Sequence, residues 1–413
     1  MPQIRLNRVS MFMSTTVNSN NLNNFADSLS WYGFRRSDGR VGIRNHRIVL
    51  STVALTDQLA SVIASQEKET ICVSGAFPRG LQKNDEDLVS KFIDKVLTHP
   101  NVGAALVITH DAYSSKLIAK KVKSRIPIEY LAFMNCKGRE DALIEGSKKL
   151  KILAERQIKL NQVRELVELS SVSIALECGG SDVSCSICAN PIIGNITDFV
   201  IKNGGSAIVS ETAEFIGAEK IFTDRCSDLK IRQSILNFIN YRLKLINEDN
   251  GKDYRGTNPT QENLDGGLTT LIEKSLGAVS KTGTTHFVSA LEYGMSPKKP
   301  GLHFMDTPFF TPVSLTGMMM AGCNLGLFAM GVFNPSGNGL CPMIKICGNP
   351  KTAQSWQDDI DVPLDGYFTG ELKSEEAQMA VLKKLNAVFN GAVTASEKYF
   401  EGQFLLPRKG ESL

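Results

Sequence analysis

No apolar run in the 413 residues is long enough to cross a bilayer. The nearest, "GMMMAGCNLGLFAMGVF", is slightly short and rich in glycine, and reads as buried core. Blocks of basic residues are missing too: 46 Lys and Arg stand against 43 Asp and Glu, a formal net charge of +3. So small and evenly spread a charge gives no hold to nucleic acid or an anionic membrane, and neither is expected as a partner. No secretory signal accompanies the nine cysteines at 72, 136, 178, 185, 188, 226, 323, 341 and 347. An odd number of thiols in a long chain implies reduced sulfur and a cytoplasmic location. Short-period repeats are also missing, which excludes a stacked repeat architecture. The 42 % hydrophobic and 22 % charged content is that of a globular protein, and the length exceeds what one core usually holds, so two domains are expected.

Residues 1–30 are basic at first, then Asn- and Ser-rich with almost no acid. They read as a disordered leader, or as a start site placed too early with Met11 or Met13 as the true start; a transit peptide shares the bias. From Trp31 the pattern becomes regular. "HRIVLSTVAL", "TICVSGA", "VGAALVITH" and "PIEYLAFM" are short β-branched runs, with segments of helical period such as "TDQLASVIASQEK" between them. Strands alternating with helices predict a doubly wound parallel sheet, a Rossmann- or flavodoxin-like α/β domain over 31–155, with the charged stretch 139–168 as a connector. A larger C-terminal α/β domain over 156–413 is expected to follow. Its first strand, "SVSIALE", runs into "CGGSDVSCSICANP", residues 178–191. Asn190-Pro191 reads as an N-cap followed by proline at the first helical position, so the loop joins a strand tip to a helix N-terminus suited to a carboxylate or phosphate.

The segment "YGFRRSDGRVGIRN", 32–45, resembles the entry signature of the altronate and galactarate dehydratase family. "CGGSDVSCSICANPIIG", "SETAEFIGAE", "GLTTLIEKSLGAVSKTG" and "MDTP" follow in that family's order and approximate spacing, and the similarity covers roughly 30–410. The resemblance implies a metal-dependent lyase that removes water, or in a related branch sulfite, from a small hydroxy-carboxylic acid. Divalent iron (Fe2+) or manganese is the implied cofactor. Many members carry a small N-terminal domain of about a hundred residues, a separate polypeptide in split members. The chain therefore resembles a large, or beta, subunit with a separate small subunit as partner, or a homo-oligomer.

Eliminating water from a dihydroxy acid needs a base for the carbon-bound α-proton, stabilisation of the enediolate, and an acid or Lewis acid at the departing hydroxyl. The resemblance puts Ser181, Asp182, Glu273, Lys274 and Lys281 forward as catalytic residues. A Lys beside a carboxylate substrate holds it or, desolvated, acts as base; the competing reading is an exposed surface lysine. Arg36, Arg40, Arg44, Asn45 and Asn190 are put forward for substrate binding, against the alternative that the arginines tie the domains together. Cys178, His110, Asp111 and Glu211 are the candidate metal ligands. Glu211 and Glu214 share a face of an expected helix start, where acids also sit for dipole reasons alone. The Cys185–Cys188 spacing suits zinc or an iron–sulfur cluster, but a second pair is missing and two small buried residues are favoured. Asp306 is a ligand or a turn cap. Departures from the family pattern stand at "GAFPRGLQ" (75–82), where a His and a Cys are expected, at "THD" (109–111), and at Val332 in place of Arg. These departures leave open a non-catalytic scaffold subunit that has lost its metal site.

Overall fold

The strand Val102–Thr109 is buried at every position, which demands cover on both faces and hence the interior of a parallel sheet. The computed structural model describes residues 25, 28–160, 162–248 and 258–412. Among these, β1 (Trp31–Arg35) and β2 (Val41–Gly42) form an antiparallel pair. They are followed by β3 (His46–Ser51), β4 (Thr70–Val73), β5 (Val102–Thr109) and β6 (Ile128–Ala132), which make a parallel sheet in the order β4-β3-β5-β6. Alternation sends Val49 to one face, against helices Asp57–Ser65 and Arg139–Lys159, and Ile48 and Leu50 to the other, against helix Lys83–Leu97. The stretch expected to be a connector is thus partly structural cover: Ala142, Gly146, Leu150 and Leu153 of helix Arg139–Lys159 are buried.

The chain then returns through β7 (Glu165–Val167), which pairs with β1, and enters a second sheet. This sheet contains β8 (Ser173–Gly179), β9 (Ser206–Val209), β10 (Phe287–Leu291), β11 (Gly301–Met305), β12 (Leu325–Met330), β13 (Met343–Cys347) and β14 (Val362–Pro363). All seven run parallel in the order β10-β11-β9-β8-β12-β13-β14. The fold is α/β. One face of this sheet packs on helices Asn190–Lys202 and Ser374–Phe389. The other packs on helix Thr311–Met320, which meets helix Lys83–Leu97, so a single core continues from one sheet to the other. "GMMMAGCNLGLFAMGVF" is the buried end of the first of these helices together with β12, and no described helix is long and apolar enough to cross a membrane.

The expected leader lies largely outside the described residues. Phe25 and Leu29, which are described, pack against the larger core, so the folded part begins before Trp31. Trp31 itself packs edge-on against Phe389, 5.3 Å away.

The arginines of the entry signature are engaged in this joint. Arg44 donates to Glu397 (2.7 and 2.9 Å) and to the carbonyls of Val388, Ala392 and Ile43. Arg36 donates to Asn45 Oδ1 (2.9 Å), Gln162 and the carbonyls of Pro100 and Arg44. Arg40 pairs with Asp38 and reaches the Thr98 carbonyl. Arg36 and Arg44 are thus engaged with protein partners, as the domain-tying alternative expects, Asn45 accepts from Arg36 and Gln157, and Arg40 is held in part by Asp38 and Thr98. Arg44→Ala should leave Glu397 as a nearly buried, uncompensated charge and cost about 3–5 kcal/mol. Urea unfolding would show this as a large fall in midpoint, and Arg44→Lys, which lacks the planar fork, should restore only part of it.

Candidate active site

In the larger sheet the chain leaves β8 towards β9 on one side and later builds β12, β13 and β14 on the other. Ligands of open α/β sheets bind outside the strand tips at such a reversal. Here the tips come close: the Gly180 carbonyl accepts from the N–H groups of Gly331 (3.2 Å) and Val332 (2.7 Å). Gly180 has φ +62°, and a Cβ on it would stand 2.2 Å from the Val332 carbonyl oxygen, so only glycine fits.

The loop after β8 is shorter than expected. Asp182 begins the following helix: its Oδ1 accepts from Ser184 Oγ (2.6 Å) and the Cys185 N–H (3.0 Å), and its Oδ2 from Asn349 Nδ2 (2.6 Å). A π-helical turn, Cys185–Ala189, then leads into Asn190–Lys202. Asn190 is therefore inside the helix (φ −61°) rather than its N-cap, and its Nδ2 donates to the Gly277 carbonyl. Asp182 already occupies the helix N-terminus proposed for a substrate anion. Cys185 and Cys188 are buried, unbridged thiols of the core. Ser181 is buried, and its Oγ has no hydrogen-bond partner among the described residues.

Beneath this loop lies a cluster of charged side chains. Lys281 Nζ stands 2.9 Å from Cys178 Sγ at the tip of β8 and 3.0 Å from Glu214 Oε2 beyond β9. Cys178 Sγ is 3.2 Å from the same carboxylate. Lys274 Nζ lies 3.9 Å from Glu214 Oε1 and donates to Asn258 Oδ1 (2.9 Å). Lys281 has no exposed surface, and Lys274, at 5 % exposure, is the least buried of the four. Burial works against the Lys281 ammonium, yet the Cys178 sulfur and the carboxylates of Glu214 and Glu177 hold its pKa well above the ordinary lysine value. Burial, reinforced by Glu214, pushes the Cys178 thiol up to about 12. For Glu214 burial also works upward, but Lys281 and Lys274 outweigh it and keep the carboxyl below its usual range.

Next to this ionised carboxylate is a pair of opposite character. Glu177, the third residue from the end of β8, and Glu211 share a hydrogen bond, and Ser314 Oγ donates to Glu177 Oε2 (2.6 Å). Burial pushes Glu177 up to about 7 against the pull of Lys281. Burial and the neighbouring Glu177 and Glu214 charges raise Glu211 well above the carboxylate range. Glu211 has φ +65°, a left-handed conformation that costs a non-glycine residue energy, and its N–H is fixed by Thr307 Oγ1 at 2.7 Å. The expected helix start at Glu211 is thus a strained turn into the 3-10 segment Thr212–Phe215. Asp306 braces it through a bidentate pair with Arg242 (2.9 and 3.0 Å) and a bond from Thr212 Oγ1.

The structure brings Cys178, Lys281, Lys274 and Glu211 together, and separates the others. Glu273 is an exposed helix cap that accepts from Thr269 and Thr270, so its carboxylate has no contact with the cluster. His110 and Asp111 stand at the tip of β5, in the other sheet, where Asp111 caps helix Ala112–Lys121. The four expected metal ligands are therefore divided between two sheets. Among the described residues no group of three or more His, Cys, Asp or Glu side chains is placed to hold a metal ion. At Cys178 the cation between sulfur and carboxylate is the Lys281 ammonium, which fills the place an ion would take. These donors do not fit a divalent ion. Glu177 escaped the sequence reading; its only signal was a carboxylate closing an otherwise uncharged strand.

A parallel-sheet body with an acid–base cluster at its strand tips has the build of an enzyme. The profile described as D-galactarate/altronate dehydratase, C-terminal, matches residues 169–412, and that of the D-galactarate dehydratase/altronate hydrolase second domain matches 33–157. The chain belongs to the D-galactarate/altronate dehydratase family, whose named dehydratases are carbon–oxygen lyases. It is 31 % identical to an altronate dehydratase of Escherichia coli over 88 % of this chain and 75 % of that one. It is 29 % identical to a (2R)-sulfolactate sulfo-lyase subunit beta of Chromohalobacter salexigens over 93 % of this chain and 98 % of that one. A galactarate dehydratase (L-threo-forming) of Escherichia coli is 32 % identical over 54 % of this chain and 43 % of its own length.

The raised Glu177 carboxyl has a consequence for stability. Between the ordinary carboxyl value of 4.5 and about 7 the folded state holds a proton that the unfolded chain has lost, so this group's contribution falls as pH rises through that window. Glu177→Gln should remove that fall. Urea midpoints of variant and wild type should shift in the variant's favour between pH 5 and pH 8; an unchanged difference would mean that Glu177 is not held protonated.

Proposed function

We propose that the protein is the large subunit of a hydro-lyase that removes water from a sugar acid or related small hydroxy-carboxylic acid, giving a 2-keto-3-deoxy acid. The observation that supports this most is one buried cluster in which Glu214 is driven down and Glu211 up, a division that assigns base and acid. Lys274, the outermost member, pairs with the substrate carboxylate. Glu214 takes the proton from the α-carbon, and the electron pair left there becomes the enediolate, whose charge the Lys274 and Lys281 ammonium groups stabilise in a water-poor site. The protonated Glu211 gives its proton to the departing hydroxyl, with Glu177 and Ser314 orienting it. The buried Ser181 hydroxyl, which has no partner among the described residues, is open to a hydrogen bond with a substrate hydroxyl. The enol that forms tautomerises to the keto acid. None of these steps draws on a metal, for which the described donors give no site.

A second reading has sulfite leave instead of water. The match over 98 % of the sulfo-lyase beta subunit supports it, and also supports a separate small subunit as partner. Sulfite leaves without a proton, so Glu211 would matter less. The test is a panel of hydroxy and sulfo-hydroxy acids, assayed for keto acid and sulfite with any co-purifying small subunit. On the substrate turned over, Glu214→Gln and Lys281→Met should lose at least about 10²-fold in kcat. Glu211→Gln should lose as much for water and much less for sulfite. Full activity of folded Glu214→Gln and Lys281→Met would remove the cluster from the reaction.

A further inference from the structure

The smaller sheet has a strand-order reversal of its own. From β3 the chain steps outward to β4, and from β5 it steps the other way to β6. Outside the tips of β3 and β5 lies a cavity of about 600 Å³, within the range of small-molecule sites. Its lining includes Pro78 and Arg79 on one side and His110 on the other, within two of the three segments where the sequence departs from the family pattern.

Two features of the lining point to an occupant. Helix Ala112–Lys121 lies on β5 and β6 yet has no fully buried residue; Leu117, turned to the cavity, is 41 % exposed. With the half-buried Val89 and Ile118 it leaves an apolar wall partly uncovered, backed by the buried Ile93. Facing this wall is Arg79, whose guanidinium makes no hydrogen bond among the described residues and stands 3.8 Å from Asp111. Asp111 is itself held by Ser114, which donates to both carboxylate oxygens (2.9 and 3.1 Å), so it stands as a helix cap at ion-pair distance rather than as a hydrogen-bonded partner of Arg79. A guanidinium with open donors beside a partly uncovered apolar wall matches an anionic head on an apolar body.

We propose that this cavity binds a small organic anion with an apolar body, its head on Arg79 beside His110 and its body against Leu117, Ile118 and Ile93. The site is separate from the Lys281 cluster, none of whose residues lines it. Helix Lys83–Leu97, which forms one wall, also packs against helix Thr311–Met320, the carrier of Ser314. An occupant would thus press on an element that touches the cluster.

The anionic fluorophore 8-anilinonaphthalene-1-sulfonate is the probe. Fluorescence titration of the full chain should show a saturable site. Arg79→Met, an exposed position, and Ser90→Phe, which fills the cavity, should each weaken it at least ten-fold, with unchanged circular dichroism. Phenylacetate or phenyl phosphate should displace the probe and so tell a carboxylate from a phosphate head, while inorganic phosphate alone should not. Binding that survives both substitutions, displacement by neither organic anion, or displacement by inorganic phosphate alone would overturn the proposal.

Discussion

An ammonium group with no exposed surface survives only where its lost hydration is replaced by charge and hydrogen bonds, and Lys281 has both in Glu214 and Cys178. Much of the larger sheet's tip follows from that requirement. Glu214 must sit on the 3-10 turn beyond β9, and Glu211, just before it, then adopts a left-handed conformation. With Glu214 ionised, the next carboxyls can avoid repulsion only by keeping a proton, and the Glu177–Glu211 pair does so. Cys178 adds a thiol rather than a thiolate, so the cluster gains a donor to Glu214 without another charge.

The scaffold that holds this cluster is tied at a distance from it. Arg44 bridges the start of the described chain and its last helices, and Asn101 joins the two sheets by accepting from the Ile43 N–H and donating to the carbonyls of Asn324 and Leu340. The shared core then fixes helix Thr311–Met320, and with it Ser314, against Glu177. The geometry at the tip of β8 thus depends on contacts made by side chains far from it.

The alternation of β-branched runs and helical segments was enough to read an α/β fold with parallel sheets, because burial on both faces leaves its mark on every position of a strand such as Val102–Thr109. Site residues were harder. Strand tips look alike in sequence, and only the assignment of strands to sheets separates His110 and Asp111 from Cys178. The Asn190-Pro191 signal was real, but a π-helical turn and the Asp182 carboxylate started the helix earlier. Glu273 and Lys274 are neighbours in sequence, yet one faces solvent as a cap and the other is buried. Glu177 was invisible because only its partners, drawn from the turn after β9 and from helix Thr311–Met320, make it more than the polar end of a strand.

The most direct test of the cluster as the reacting centre is a crystal structure with a 2-hydroxy acid that lacks the leaving group. The carboxylate should lie within hydrogen-bond distance of Lys274 Nζ, with its α-carbon towards Glu214. An analogue found only in the cavity at the tips of β3 and β5, with the Lys281, Glu214 and Cys178 contacts undisturbed, would contradict this account.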